Sequence, residues 1–271
     1  MCLIAFALAP RPEIALVLIA NRDEHYARPT DPMHAWADGS GIIAGVDRER
    51  LGTWLGVRAR EGQPPRLAAV TNVRDPADLR PREPDEKSRG DLVRAFLEND
   101  EGALAYASRV AAGRTMRGFN LLVLDEGALV WCSNRAPAPG RPLRVTPGVH
   151  GVSNAFFDTP WPKVERAKML LASELAKNGE PDVDALFAIL ADDSQAPDAR
   201  LPDTGVGLAL ERALSPIRIA MPTYGTRCAT VLIARTDGTA TLIERTIAPL
   251  PAPEAHFELA SFAIPSRVAA R

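Results

Sequence analysis

The sequence predicts an α+β domain: two antiparallel sheets packed face to face with helices outside, a four-layer αββα sandwich. Paired Ile/Leu/Val-rich runs separated by turn residues predict hairpins. Helical stretches gather in two blocks, 88–111 and 160–190, between the hairpins instead of alternating with single strands. A single sheet with helices on one face would give much the same pattern, and the pattern alone leaves that open.

The first element is a hairpin from residues 2–9 and 14–20, with Pro10 and Pro12 in its loop because proline cannot donate to a ladder. If Ala9 pairs with Ile14, Cys2 faces Asn21, and Arg22 and Asp23 emerge beside the chain start. His25 to Trp36 reads as a loop. Short strands are expected at Ile42 to Val46, Thr53 to Val57 and Leu67 to Thr71, the last ending at Asn72. Residues 74–85 are charged and proline-rich, an exposed loop that suits a lid.

Two helices follow, Ser88 to Leu97 and Glu101 to Ala111. Phe119 to Leu124 and Ala128 to Cys132 form a hairpin, with Asn134 just past it. Val149 to Ser153 is another short strand, ending at Asn154. A helix is expected from about Pro160 to Lys177, capped by Thr159, with Pro160 first and Gly179 as the stop. Asp182 caps a second helix, Val183 to Leu190. Residues 192–205 read as a surface loop and Leu208 to Leu214 as a short helix. Cys228 to Ala234 and Thr239 to Ile247 form the last hairpin, where Asp237-Gly238 signals a type I′ turn. Phe257 to Ile264 reads as a terminal edge strand. Residues 1–271 are taken as one domain.

Composition narrows the function classes. The 271 residues carry a net charge of −2, which gives no reason to expect nucleic acid. The three cysteines are odd in number and far apart, with no CxxC, and the four histidines lack metal-ligand spacing. No apolar run is long enough for a membrane helix, and the N-terminus lacks the basic start of a signal peptide. A cytoplasmic protein with no required cofactor is the expectation; oligomeric state is not readable.

The chemistry-bearing feature is Cys2. If Met1 is removed, Cys2 carries both a thiol, of pKa about 8.5, and an α-amine, of pKa about 7.7–8.0. The amine can then take the thiol proton, as in N-terminal nucleophile enzymes. Arg22 would lower the thiol pKa and Asp23 would orient the amine. A cysteine in an apolar strand also suits the core as a small hydrophobe. Asn72, Asn134, Asn154 and Arg227 lie at further strand ends, where a scaffold presents site residues. Asparagine amides suit an oxyanion, and asparagine also simply ends strands.

The run MCLIAFAL with LIANRDEHYARPT resembles the NRDE family, which includes the Transport and Golgi organisation protein 2 group. Gly52-Thr-Trp-Leu-Gly56, Thr71-Asn-Val-Arg74, Ser88-Arg-Gly90, Phe119-Asn120, Gly151-Val-Ser-Asn154 before Trp161-Pro-Lys163, and Tyr224-Gly-Thr-Arg227 fit it too. His25 stands where the family more often has an aromatic residue. The resemblance implies an N-terminal-nucleophile hydrolase-like αββα fold and kinship with cysteine amidohydrolases such as penicillin V acylases and bile salt hydrolases. It implies Cys2 as nucleophile, Arg22 and Asp23 as its binding and orienting partners, Asn72 and Asn154 as oxyanion or amine partners, and Arg227 as the remaining polar site residue. It does not extend to Asn134.

Two functions follow as expectations. In the first, Cys2 cleaves an amide or related acyl bond of a small acyl substrate. Asn21, Trp54, Phe156 and Trp161, with Phe6 and Phe157, line its pocket. In the second, the chain carries haem or an acyl-CoA or lipid ligand, in line with family members implicated in haem trafficking and acyl-lipid homeostasis. Arg22, Arg74 or Arg227 would meet the acidic groups, and His25 or His34 would ligate the iron.

Overall fold

A computed structural model describes residues 2–79, 86–113, 116–137 and 141–264. The first sheet contains β1 (Cys2–Arg11), β2 (Ile14–His25), β10 (Gly148–Val152), β11 (Tyr224–Arg235), β12 (Ala240–Thr246) and β13 (Ala255–Leu259). Its spatial order is β10-β1-β2-β11-β12-β13. The second contains β3 (Thr30–Ala35), β4 (Ile42–Asp47), β5 (Leu55–Arg58), β6 (Arg66–Asn72), β7 (Phe119–Leu124), β8 (Leu129–Ser133) and β9 (Leu143–Arg144), paired in sequence order. Every pairing between these strands is antiparallel.

Strand alternation sorts the side chains into layers. Ile4, Phe6, Leu8, Leu16 and Leu18 meet Val57, Leu67 and Leu122 between the sheets. Leu3, Ala5, Val17 and Ile19 point the other way, against α3 (Pro162–Leu175) and α4 (Val183–Leu190). The outer face of the second sheet is covered by α1 (Gly90–Glu98) and α2 (Ala103–Ala111). The fold is therefore the expected αββα sandwich, with α5 (Leu208–Ala213) as a short addition.

Four local expectations are corrected. The first hairpin is one residue out of register: Ala9 adopts φ 49° in a bulge between Leu8 and Arg11, so Cys2 pairs with Arg22 and Leu8 with Leu16. A one-residue slip exchanges faces, which puts Arg22, not Asn21, on the face of Cys2. Residues 30–35 are an edge strand, not loop, because the proline within them lies on an edge. The helix α3 starts at Pro162 with Trp161 as cap; Thr159 instead closes the turn before it, accepting from the Trp161 N–H. Its C-cap is Ala176, and Gly179 lies beyond. In the β11–β12 connection only Gly238 takes a positive φ. The loop is thus a longer turn ending on a left-handed glycine, not type I′.

Asp182 caps α4 as expected, accepting from the N–H groups of Asp184 and Ala185. In the segment expected to form a lid, 76–79 make a single 3-10 turn, and 80–85 lie outside the described residues. Among the described residues no helix is long and apolar enough to cross a membrane.

Candidate active site at the head of β1

Three neighbouring strands of the first sheet deliver one row of side chains toward the second sheet. Cys2 pairs with Arg22, and Arg22 pairs with Cys228. The register of β11 shifts between Thr226 and Cys228, leaving Arg227 as the bulged residue, and such a bulge re-aims a side chain. Thr226 pairs instead with Asp23. Its hydroxyl donates to Asp23 Oδ1 at 2.6 Å.

Cys2 is half-buried at the rim of a cavity of about 90 Å³, lined also by Arg22, Asp23, Trp54, Asn72 and Arg89. Burial pushes the Cys2 thiol up. The Asp23 carboxylate adds to that, while the Asp23 N–H and the Arg22 guanidinium pull it down. Left alone, the thiol stays protonated near neutral pH, so nucleophilic use needs a base beside it. Burial also raises the Asp23 carboxyl; the Lys163 ammonium is the first influence against it, and the Thr226 hydroxyl adds a lesser one.

Arg22 lies over the Trp54 ring, its guanidinium carbon 4.2 Å from the ring centroid, and donates to Thr30 Oγ1 at 3.2 Å. Behind it Glu244 is buried. It accepts from the Met33 N–H at 2.7 Å and from the Thr230 hydroxyl at 3.3 Å. Burial raises the Glu244 carboxyl against the pull of those bonds and of Arg22.

A polar seam fastens the two sheets beside Cys2. Thr71 donates to Ser153 O at 2.5 Å. Asn120 Nδ2 donates to Thr71 Oγ1, Ser153 O and Ala155 O. Ser153 Oγ donates to the Cys2 carbonyl at 2.9 Å. Asn154 Nδ2 donates to Asn72 O at 2.9 Å, and its own carbonyl accepts from the Arg74 N–H. The strand ends carrying Cys2, Asn72 and Asn154 are thereby locked together.

The expected site residues divide accordingly. Cys2, Arg22, Asp23, Trp54 and Asn72 come together on one cavity. Asn154 is adjacent, holding the scaffold. Arg227 lies off this cavity, on a smaller one that it shares with Arg22, Trp54 and Cys228, and its guanidinium donates to the carbonyls of His25, Arg28 and Ala248. Asn21 faces the helices, with its amide donating to Leu190 O and Ile217 O, because of the register described above. The aromatic pocket does not form around Cys2. Phe6 and Phe157 stack with each other, and Phe157 also with His150 and Trp131, between the sheets; Phe156 packs on the same core. Trp161 lies on the far side, under Arg74. Asn134 donates to Met116 O and Arg117 O and accepts from the Phe119 N–H, a turn role.

His25 packs edge-on against Tyr224, and His34 uses Nδ1 on Pro32 O. Among the described residues, no three His, Cys, Asp or Glu side chains are grouped to hold a metal. Cys132 is pushed up to about 12 by burial, and burial also holds the Cys228 thiol high. Sequence reasoning missed Thr71, Asn120, Ser153, Glu244 and Lys163 as contributors. A Ser or Thr directly before a strand-end Asn, at Thr71-Asn72 and Ser153-Asn154, was the available signal for the seam.

Fold and site together define an αββα sandwich that presents a cysteine at the head of an inner strand, between an arginine and an aspartate. The chain belongs to the Transport and Golgi organisation 2 family, whose profile matches residues 1–249. A Transport and Golgi organization 2 homolog from Mus musculus is 34% identical over 267 residues, covering 91% of this chain and 93% of the mouse protein. The Homo sapiens homolog shows the same identity and coverage. Transport and Golgi organization protein 2 of Drosophila melanogaster is 26% identical over 280 residues, covering 92% and 93%. Among solved structures, Anbu from Hyphomicrobium is similar with a TM-score of 0.36 at 11% identity, over 96% of this chain and 89% of that one.

Proposed function

We propose that the chain is an N-terminal nucleophile hydrolase that cleaves a C–N amide, or a related acyl bond, of a small acyl substrate through Cys2. The observation that carries this reading is the row Cys2–Arg22 at a cavity rim, with Asp23 beside it on the same strand end. Removal of Met1 would convert the Cys2 amide nitrogen into an amine next to the Asp23 carboxylate, supplying the base that the buried thiol lacks.

The steps balance without a cofactor. The amine takes the Cys2 thiol proton as sulfur attacks the acyl carbon. The tetrahedral oxyanion would meet N–H donors at the cavity wall, where Asn72 on the lining is the candidate side-chain donor. The C–N bond breaks and the leaving nitrogen receives the proton from the amine. Water, deprotonated by the same amine, then attacks the thioester, and the acid departs as the thiol is restored.

Cavity size and lining narrow the substrate. A volume of about 90 Å³ is well below the roughly 300–1,000 Å³ of pockets that enclose drug-sized ligands. The walls carry Arg22, Asp23 and Arg89, with Trp54 alone of the expected aromatics, which favours a compact, polar acyl group. The carrier alternative has less support, since neither His25 nor His34 lies on this cavity. A reducing, cytoplasmic location suits the free state of Cys2, Cys132 and Cys228.

The test is turnover of a panel of small N-acyl amides by the wild type and by Cys2→Ala, with thermal melts confirming that both fold. Loss of turnover in the variant is the expected result. Equal turnover of any substrate by both proteins would refute the assignment.

A further inference from the structure

Three cavities adjoin the Trp54 ring. The first is the polar one of about 90 Å³ with Cys2 on its rim. The second, of about 10 Å³, also borders Cys2, and its walls are largely the buried Ile4, Ala20, Leu55 and Val70. Thr230, on the same wall, spends its hydroxyl on Glu244. The third, of about 30 Å³, lies toward Arg227, Cys228 and Glu244. Among the described residues, Arg22 and Trp54 are the two that border all three. Cys2 therefore has a polar space on one side and an apolar one on the other, and the Trp54 ring stands between them.

That ring is held in place from several directions. The Trp54 carbonyl accepts from the Val70 N–H at 2.8 Å, which ties the residue to β6. The Arg22 guanidinium lies over the ring, 4.2 Å from its centroid. The Cη2 corner reaches Gly45, where an added Cβ would lie only 2.1 Å away. Glycine on β4 thus leaves the space that the indole fills. As it stands, the apolar void has room for roughly one water molecule and cannot take an acyl chain. Without the indole, the three spaces and the volume of the ring would join beside Cys2.

We infer that Trp54 is the specificity-determining residue of the Cys2 site: its ring closes off the apolar space behind Cys2 and so limits the substrate to a short acyl group. The inference rests on the N-terminal nucleophile reading and accounts for the compact acyl group proposed there. The direction of the effect follows from the lining. A longer alkyl chain belongs against Ile4, Ala20, Leu55 and Val70, not against Arg227 and Glu244, whose polar groups would lose hydration to it.

The experiment is the rate of Cys2 acylation by p-nitrophenyl acetate, butyrate, hexanoate and octanoate, with the Cys2→Ala background subtracted. Sulfur bonds to the acyl carbon, nitrophenolate leaves with the electron pair, and the thiol proton passes to the amine or to water. Wild type should react more slowly as the chain lengthens. In Trp54→Ala the octanoate-to-acetate ratio should rise by at least about tenfold, since each buried methylene is worth roughly fourfold. Trp54→Phe, which keeps a ring, should stay closer to wild type. Trp54→Leu gives the same comparison if thermal melts show that Trp54→Ala does not fold. The ratio is the deciding readout, because a merely structural tryptophan would change both rates together. A folded variant with the wild-type ratio overturns the inference, as does a wild type that takes octanoate as fast as acetate; in both cases the nucleophile reading stands. No Cys2-dependent acylation by the acetate in wild type would defeat the nucleophile reading itself, and the inference with it.

Discussion

Substituting Gly45 by alanine probes the packing that aims Arg22. Gly45 is buried on β4 with an ordinary φ, so space and not backbone freedom is what glycine provides there. A Cβ at this position would lie 2.1 Å from Trp54 Cη2 and 2.8 Å from Cζ2, with the Asp31 carbonyl oxygen 2.9 Å away on another side. The backbone oxygen cannot yield, so the indole must move by nearly an ångström. Overpacking of this kind costs about 1–3 kcal/mol. At about 2–4 °C per kcal/mol, Tm should fall by roughly 2–12 °C. The same movement pulls the ring from under Arg22, now 4.2 Å from its centroid, a contact of about 0.5–2 kcal/mol. Alkylation of Cys2 should slow, because Arg22 is one of the groups pulling its thiol down. Adding Trp54→Leu to Gly45→Ala should recover part of the lost Tm but not the alkylation rate, a coupling expected of touching residues. An unchanged Tm and an unchanged Cys2 rate in Gly45→Ala would refute the reasoning.

Three further outcomes are expected. Asn120→Ala leaves the Ala155 carbonyl without its side-chain donor and the Ser153 carbonyl with Thr71 alone and should cost about 1–3 kcal/mol in urea unfolding; a loss too small to measure would mean the seam does not fasten the sheets. Glu211→Ala removes the buried carboxylate that pairs with Arg74 and accepts from the Thr204 N–H and should cost about 3–5 kcal/mol, measured the same way, with a near-neutral result counting against a buried pair. The Glu244 carboxyl is raised in the folded state by burial. Its contribution to stability is therefore full below the ordinary carboxylate pKa and is lost as pH rises through the raised value. Glu244→Gln should flatten that decline in unfolding free energy from mildly acid pH upward, and an unaltered slope would contradict it.

The layered fold was readable because each hairpin and helix buries a face that its own periodicity marks. The first hairpin shows where local reading stops. Its strands are plain in the apolar runs, but the left-handed Ala9 that shifts their register leaves no compositional mark. That one residue decides whether Arg22 or Asn21 shares a face with Cys2. Most of the expected aromatic pocket failed for a different reason: Phe6 shares the face of Cys2 but lies further along β1, where that face fills the space between the sheets. Thr30–Ala35 was hidden by its proline and polar residues, tolerated on an edge strand. Arg227 at a strand end gave no sign of its three carbonyl partners, which come from the end of β2, the segment after it and the residues just past β12. Lys163 was invisible as a contributor because a lysine in a first helical turn ordinarily points to water, and its burial depends on how α3 docks.

The most direct measurement is the intact mass of the untagged protein before and after brief exposure to iodoacetamide at neutral pH. The account predicts a chain lacking Met1 that gains one adduct, mapped to Cys2, while the buried Cys132 and Cys228 stay unmodified. A chain that keeps Met1, or one whose Cys2 reacts no faster than the other two cysteines, would contradict it.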